Sequence, residues 1–176
     1  MRIISGSARG KKLITSEGLD VRPTIDRVKE AVFSSLQFDI EGRRILDLFA
    51  GSGQLGLEAL SRGAKHCNFV DGSKKSVDVI NTNIKACSFE NQSTVNFCDS
   101  FDFLNKTDEE FDIAFLDPPY NKGMIDKAMP LLVEKMSDYG VIVCEHSENF
   151  VLADSYGSFK KGKTKRYGIV YVTYYR

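Results

Sequence analysis

The chain has 176 residues, of which 42% are hydrophobic and 27% are charged, values ordinary for a soluble globular protein with room for one enzymatic domain. No apolar run approaches the roughly 20 residues needed to cross a bilayer, and the basic N-terminus lacks the apolar core of a secretion signal, so a cytoplasmic protein is expected. The four cysteines have no C-x-x-C spacing, and neither a disulfide nor a metal site is expected.

Basic residues concentrate at the two ends of the chain, although the formal net charge is zero. Residues 1–29 contain seven Lys/Arg against three Asp/Glu, and residues 160–176 contain six against none, whereas residues 30–159 contain eleven against twenty-one. A solvated face is the ordinary explanation of any single run of charge. If both ends lie on one side of the fold, they instead predict a surface that binds nucleic-acid phosphates.

A single domain is predicted over residues 1–176, with residues 1–22 as a basic N-terminal appendage and residues 23–176 as the core. Apolar pairs on either side of a glycine-bounded turn suggest that the appendage is a small β-hairpin. A helix is predicted to begin after Thr24, because the apolar residues that follow repeat at i, i+3, i+4 and i+7.

Residues 45–58 begin as an apolar strand, break into glycines and resume with helical periodicity. Such a strand, turn and helix start presents backbone N–H groups to which a ligand can bind. The glycine spacing from Gly51 onward, with Asp71 twenty residues later, also fits a dinucleotide-binding fingerprint. Asp47 at the strand end would repel a pyrophosphate and attract a cationic group, which favours S-adenosylmethionine as the ligand.

Strands and helices alternate through the rest of the chain. Strands are predicted near residues 66–70, 93–98, 111–116 and 140–145, with helices near 73–86, 100–104 and 123–135. This alternation favours a mainly parallel α/β sheet covered on both faces, of Rossmann-like form, with its ligand at the carboxyl ends of the strands. Residues 157–175 contain two strand-like stretches separated near residues 161–166, which predict a C-terminal antiparallel hairpin.

The strand near residues 111–116 runs into Asp117-Pro118-Pro119-Tyr120, and here the chain resembles the amino-methyltransferases. An exocyclic base amine is a poor nucleophile, because its lone pair is delocalised into the ring. Hydrogen bonds to the Asp117 carboxylate and the Pro118 carbonyl would turn that lone pair towards a sulfonium methyl. Two consecutive prolines would restrict the backbone, and Tyr120 would stack on the extruded base. A rigid turn is the structural alternative.

Residues that follow the predicted strands supply the donor site. Asp47 and the loop from Ala50 to Gly53 are predicted to receive the methionine part of the donor, and Asp71 its ribose hydroxyls. Asp99 and Ser100 would border the adenine. Capping of a strand end or a helix is the structural alternative for Asp47 and Asp71. The full predicted set is Asp47, Ala50, Gly51, Ser52, Gly53, Asp71, Asp99 and Ser100.

Residues 22–31, Arg-Pro-Thr-Ile-Asp-Arg-Val-Lys-Glu-Ala, and residues 56–64, Gly-Leu-Glu-Ala-Leu-Ser-Arg-Gly-Ala, narrow the resemblance. Together with residues 47–53 and 117–120 they resemble the RsmD family, the 16S ribosomal RNA guanine-N2 methyltransferases, and the likeness covers essentially the whole chain. Gln54, Ile25 and Ser100 depart from the residues common in that family.

The resemblance implies a seven-stranded methyltransferase sheet with a C-terminal antiparallel hairpin. It also implies S-adenosyl-L-methionine as cofactor and 16S ribosomal RNA or the small ribosomal subunit as partner. A monomer without a metal is expected. The candidates for contacts with the RNA backbone are Arg22, Arg27, Lys161, Lys163 and Lys165.

Three other functions have to be weighed against this one. A DNA adenine-N6 methyltransferase shares the Asp-Pro-Pro-Tyr tetrad, but the chain has no room for a separate DNA target-recognition domain. A nicotinamide-dependent oxidoreductase is disfavoured by Asp47, by the tetrad and by the terminal hairpin. A catalytically silent RNA-binding module is disfavoured because the full set of predicted methyl-transfer residues is present.

Overall fold

An eight-stranded sheet forms the centre of the computed structural model, which describes residues 1–15, 23–119 and 123–176. In chain order the elements are α1 (Pro23–Ser35), β1 (Arg44–Leu48), α2 (Gln54–Ser61), β2 (His66–Asp71), α3 (Lys74–Cys87), β3 (Ser93–Phe97), α4 (Ser100–Lys106), β4 (Phe111–Leu116), α5 (Met124–Leu132), β5 (Met136–Ser147), β6 (Ser155–Tyr156), β7 (Phe159–Tyr167) and β8 (Val170–Tyr175). Every helix in these ranges is too short or too polar to cross a bilayer.

The strand order is β3-β2-β1-β4-β5-β8-β7-β6. The first five of these strands are parallel, and β8, β7 and β6 run antiparallel to their neighbours. This arrangement confirms the predicted α/β fold with its antiparallel end. The predicted count of seven strands is one too low, because β6 pairs its two residues with β7. The predicted N-terminal hairpin is reduced to a single antiparallel bridge between Arg2 and Lys12.

The C-terminal hairpin turns at a different place from the one predicted. Residues 161–166 lie within β7, and the turn is formed by Gly168 and Ile169, since Tyr167 pairs directly with Val170. Gly168 has a φ of +66°, a left-handed conformation that suits a two-residue hairpin loop. The prediction was wrong because β7 is one of the outermost strands of the sheet. Outer strands often carry many charged residues, and such a composition resembles that of a turn.

Apolar side chains cover both faces of the sheet. One face packs against α1, α2 and α3 through a cluster that includes Phe33, Leu57 and Ile80. The other face packs against α4 and α5 through a cluster that includes Leu104 and Met129. Because the parallel strands are buried on both faces, their sequences are almost continuous apolar runs. That property made these strands recognisable from the sequence.

The N-terminal segment, residues 1–15, packs into the first of these clusters instead of projecting from the fold. Ile3, Ala8 and Leu13 are all buried there. Gly6 has a φ of +83°, and a Cβ added to it would lie 1.7 Å from the carbonyl oxygen of Ser61 in α2. Only glycine therefore fits at this contact.

A buried ion network joins the N-terminal segment to α1 and α2. Glu58 of α2 is wholly buried and accepts hydrogen bonds from the backbone N–H groups of Ile4, at 2.8 Å, and Ser5, at 3.1 Å. Its carboxylate also pairs with Arg62 at 2.8 Å and with Lys29 of α1 at 3.8 Å. One acid therefore connects three parts of the fold.

Candidate active site

Within the described residues, those predicted to bind the donor and the base lie at one edge of the sheet. β1 is parallel to β2 on one side and to β4 on the other, so the loops after their carboxyl ends meet at that edge. Asp47 lies near the end of β1, Asp71 ends β2 and Asp117 follows β4 directly. The topology thus brings together three acids that are widely separated in the sequence.

The loop between β1 and α2 turns through left-handed backbone conformations. Phe49, Gly51 and Gly53 have φ values of 65°, 57° and 74°. A Cβ on Gly51 would meet nothing within 4 Å, whereas one on Gly53 would come within 3.2 Å of Phe69 in β2. The surface over Gly51 is therefore open to a ligand. Phe49 is not a glycine and carries backbone strain of about 1–3 kcal/mol, a feature that clusters at functional sites.

Hydrogen bonds hold this loop against the neighbouring elements. Ala50 donates from its N–H to the backbone of β2 at 3.0 Å, and Gly51 donates to Oδ2 of Asp71 at 2.8 Å. The Ser52 carbonyl accepts from the side chain of Asn83 in α3 at 3.0 Å. Asn83, which is only 1% exposed, was not predicted from the sequence. The one feature that sets it apart there is its position as a single amide on the apolar face of α3.

Asp47 points towards the start of α2. Its Oδ2 accepts a hydrogen bond from the Gly56 N–H at 2.8 Å, and the residue is 2% exposed. Burial, with a smaller contribution from the charge of Asp71, raises the pKa of Asp47 to about 7, against the opposing effect of the Gly56 hydrogen bond. A cationic ligand at this carboxylate would lower that pKa again. The chemistry of the site therefore suits a positively charged group.

Asp47→Asn is expected to stabilise the unliganded protein at pH 8 by up to about 4 kcal/mol, and to have little effect near pH 4. The folded protein binds the Asp47 proton more tightly than the unfolded chain does, so this contribution to stability falls as the pH rises from about 4 to about 7. Asparagine removes the charge and keeps an oxygen for the Gly56 N–H. Denaturant unfolding at both pH values measures the difference.

Asp112→Asn is the control for Asp47→Asn, because its effect on the free energy of unfolding should have the opposite sign. Burial alone would raise the pKa of Asp112, but hydrogen bonds from the backbone and guanidinium of Arg44 bring it below its usual value. Its substitution should therefore cost stability at pH 8. If the two substitutions changed the free energy of unfolding equally, the ionised Asp47 would not be destabilising the folded protein.

The remaining predicted donor residues make local hydrogen bonds. Asp71 accepts with its second oxygen from the Ser73 N–H at 2.8 Å, while Ser73 itself caps α3. Asp99 caps α4 by accepting from the N–H groups of its second and third successors at 2.8 and 3.1 Å. Ser100 is buried in the first turn of α4. Their contacts with a donor remain predictions.

Asp117 faces a concentration of negative charge at the end of β4. Burial of its carboxyl, the charge of Glu145 and the charge of Asp47 raise the pKa of Asp117 well above its usual value, in that order of importance. Pro118 is buried and Pro119 is exposed. Tyr120 lies outside the described residues. Asp47 lies opposite Phe115, two residues before Asp117, so the two acids lie near each other on the same face of the sheet.

Glu145, near the end of β5, lies beside the candidate site and was not predicted from the sequence. It lies on the strand next to β4, at the same edge of the sheet as Asp117. The sequence pattern does single out Glu145, because an acid near the end of a predicted apolar strand is also found at Asp47 and at Asp117.

The basic residues predicted to contact RNA differ in how far they are free to bind a ligand. Arg22 lies outside the described residues, and Arg27 is exposed on α1. Lys161 is held by Asp154 at 2.7 Å and by the carbonyl of Leu152 at 3.1 Å. These two contacts hold the Lys161 ammonium group against the protein itself, which leaves it less available to a ligand.

A β-bulge separates Lys161 from the two lysines that follow it. The pairing of β7 with β8 shifts register between Lys161 and Thr164, which breaks the two-residue alternation of side chains. Lys163 and Lys165 are exposed, and Lys165 donates to the Ser35 hydroxyl of α1 at 2.9 Å. Of the three lysines, Lys163 and Lys165 are thus the more accessible to a ligand.

The chain is similar to proteins described as methyltransferases. A putative rRNA methyltransferase of Bacillus subtilis, YlbH, is 37% identical over 181 residues, which cover 100% of this chain and 98% of that protein. Ribosomal RNA small subunit methyltransferase D of Haemophilus influenzae is 44% identical over 140 residues, covering 76% and 71%. The solved structure of a putative methyltransferase from Escherichia coli, yhhF, is 32% identical with a TM-score of 0.89, covering 100% and 97%.

A family model agrees with these individual similarities. The model described as conserved hypothetical protein 95 matches residues 1–176, the full length of the chain. The relatives and the model together extend over the glycine loop, the Asp117 turn and the C-terminal hairpin. The chain therefore belongs to the RsmD family of methyltransferases.

Proposed function

We propose that this protein transfers a methyl group from S-adenosylmethionine to an exocyclic amine of ribosomal RNA. The observation that carries the proposal is that Asp47 and Asp117 lie near the carboxyl ends of the neighbouring parallel strands β1 and β4, so that each proposed half-site contributes a carboxylate. Relatives named as rRNA methyltransferases support ribosomal RNA as the substrate class.

The donor half of the site matches the charge of S-adenosylmethionine. When bound, the donor supplies an electrophilic methyl group on a positively charged sulfonium. The Asp47 carboxylate, whose pKa is raised to about 7 without a ligand, favours a cation beside it. The open surface over Gly51 allows the donor to lie against the backbone. Asp71, Asp99 and Ser100 complete the proposed donor contacts.

The base half of the site rests on the turn after β4. Asp117 and the carbonyl of Pro118 would accept hydrogen bonds from the two N–H groups of the amine and hold its lone pair towards the methyl group. Tyr120 is proposed to stack on the target base once that base has been extruded from the RNA. Pro119 belongs to the same restricted turn.

The narrower assignment is guanine N2 in 16S ribosomal RNA of the small subunit, at position 966. It is supported by membership of the RsmD family and by the small subunit methyltransferase D relatives. The RNA backbone is proposed to contact Arg22, Arg27, Lys163 and Lys165. Lys161 should contribute less than its neighbours, because Asp154 already pairs with it.

Two measurements test the donor and the substrate separately. S-adenosylhomocysteine should raise the melting temperature, and a nicotinamide dinucleotide should not. Labelled methyl transfer to small-subunit RNA or particles that lack the modification, followed by nucleoside analysis, should yield N2-methylguanosine. Label in N6-methyladenine would support the DNA-type adenine chemistry instead. Stabilisation by the nicotinamide dinucleotide alone would refute a methyltransferase.

A further inference from the structure

Glu145 lies beside Asp117 across two adjacent strands. β4 and β5 are parallel, with Leu116 opposite Cys144, and the same register carried one residue further sets Asp117 opposite Glu145. Phe115 and Val143, two residues earlier, both lie in the cluster covered by α1, α2 and α3. Since side chains alternate along a strand, both acids face that same side.

Charged groups of both signs surround this pair in the described part of the chain. The negative charges of Asp47 in β1 and of Glu145 both act on Asp117. Beyond Glu145, the sheet continues through Val172 of β8 to Lys165 of β7, whose ammonium group donates to Ser35. On α1, which covers this face, Asp26 is half-buried and Lys29 is buried against Glu58. In the described part of the chain, two carboxylates are thus the charges that act on Asp117 most strongly.

We propose that Glu145 is a positioning residue that acts through Asp117, keeping it basic enough to take the proton that the amine loses on methylation. This inference rests on the proposed methyl transfer. It does not depend on which base is methylated, because every exocyclic amine must lose one proton after gaining a methyl group.

The proposed step is balanced within the site. The nitrogen lone pair forms the N–C bond as the C–S bond breaks, and the bonding electron pair stays on sulfur, leaving a neutral thioether. The nitrogen is then positively charged and transfers one N–H proton to the Asp117 carboxylate, which restores a neutral base. The negative charge of Glu145 destabilises the ionised Asp117 relative to its protonated form, which favours uptake of the proton, and water removes that proton after the product leaves. General bases of this kind are most effective when their pKa lies near the working pH.

Glu145→Gln tests the proposal because it removes the charge and nearly preserves the shape. At low pH, protonated Asp117 cannot accept the proton, so activity should be lost through an acid limb that follows its pKa. Removing the negative charge of Glu145 lowers the pKa of Asp117. The acid limb of methyl transfer to unmodified small-subunit particles should therefore move to lower pH, and Glu145→Asp should restore most of the original profile.

A second readout does not depend on the substrate. Carbon-13 NMR of the full chain labelled at aspartate carboxyl groups follows the titration of Asp117 directly, with Asp117→Asn identifying its signal. Its midpoint should also fall in Glu145→Gln. A midpoint that stays in place would overturn the inference, as would an equal loss of activity at every pH. If the wild-type protein methylated no RNA, the proposed function would fail, while the NMR titration would still decide whether Glu145 controls Asp117.

Discussion

Asp117→Ala is expected to slow methyl transfer to ribosomal RNA by about 10²- to 10⁴-fold and to leave the binding of S-adenosylhomocysteine nearly unchanged. The substitution removes both an acceptor for the amine and the proposed acceptor for its proton. The donor loop itself is held by backbone and side-chain hydrogen bonds that do not involve Asp117, including those from Gly51 to Asp71 and from Asn83 to Ser52. Single-turnover transfer and isothermal titration measure the two effects separately.

The same substitution should not unfold the protein. Burial and two neighbouring carboxylates raise the pKa of Asp117, so the folded state holds its proton more tightly than the unfolded chain does. The ionised side chain therefore costs stability as the pH rises through the folded pKa, and its removal should increase the free energy of unfolding at alkaline pH. A lost rate accompanied by unchanged or higher stability would separate catalysis from folding.

Asp102→Ala is a suitable control for Asp117→Ala. Asp102 lies in the first turn of α4 near the same edge, is 64% exposed and pairs loosely with Lys106 at 3.8 Å. Its loss should leave methyl transfer within about two-fold, as expected for an exposed pair. Full activity of Asp117→Ala would rule out the proposed mechanism.

The position of the proposed site was inferred from the sequence because two apolar strands, both buried in the fold, end in recognisable turns. The run from Ile45 to Gly53 and the tetrad at Asp117 each join an apolar strand to residues with restricted or unusual backbone conformations. Both strands are buried on both faces, so their composition alone identifies them. In a parallel sheet, the loops that follow the carboxyl ends of the strands all lie at the same end of the sheet.

The double role of individual acids could be predicted only in part. Asp71 and Asp99 were assigned to the donor, yet their oxygens also accept backbone hydrogen bonds within the protein. The bonds from the residues that follow each acid are local caps, which the sequence suggests, whereas the bond from Gly51 to Asp71 forms only because β1 and β2 are neighbours. Glu145 was missed for a related reason, because its proximity to Asp117 arises only when β5 pairs with β4.

The packing of the N-terminal segment depends on long-range contacts that its own sequence does not reveal. Its short apolar pairs suggested a small hairpin, whereas Ile3 and Leu13 are buried in the core and Gly6 lies against the backbone of α2. Asn83 binds both the backbone of Ile14 and that of Ser52. The segment is therefore connected to the proposed donor loop through one side chain.

Glu58→Gln is expected to destabilise the protein by about 3–5 kcal/mol, the usual cost of removing one partner from a buried ion pair. The substitution leaves the Lys29 ammonium buried beside Arg62, with the carbonyl of Arg2 accepting from it at 2.6 Å. Burial already lowers the pKa of Lys29, while Glu58 raises it. Without Glu58 that pKa should fall further. Denaturant unfolding at pH 7 measures the loss.

Three comparisons distinguish a broken charge pair from a simple packing defect. Because a lowered lysine pKa means that the unfolded chain binds more protons, the stability of Glu58→Gln should recover as the pH rises towards 10. Adding Lys29→Met should restore much of the loss at pH 7, since a buried pair replaced by an apolar side chain is often no less stable. Glu110→Gln, which breaks the exposed pair with Arg44, should cost no more than about 1 kcal/mol. A pH-independent loss that Lys29→Met does not relieve would contradict the charge argument and would assign the role of Glu58 to its hydrogen bonds with the N-terminal segment.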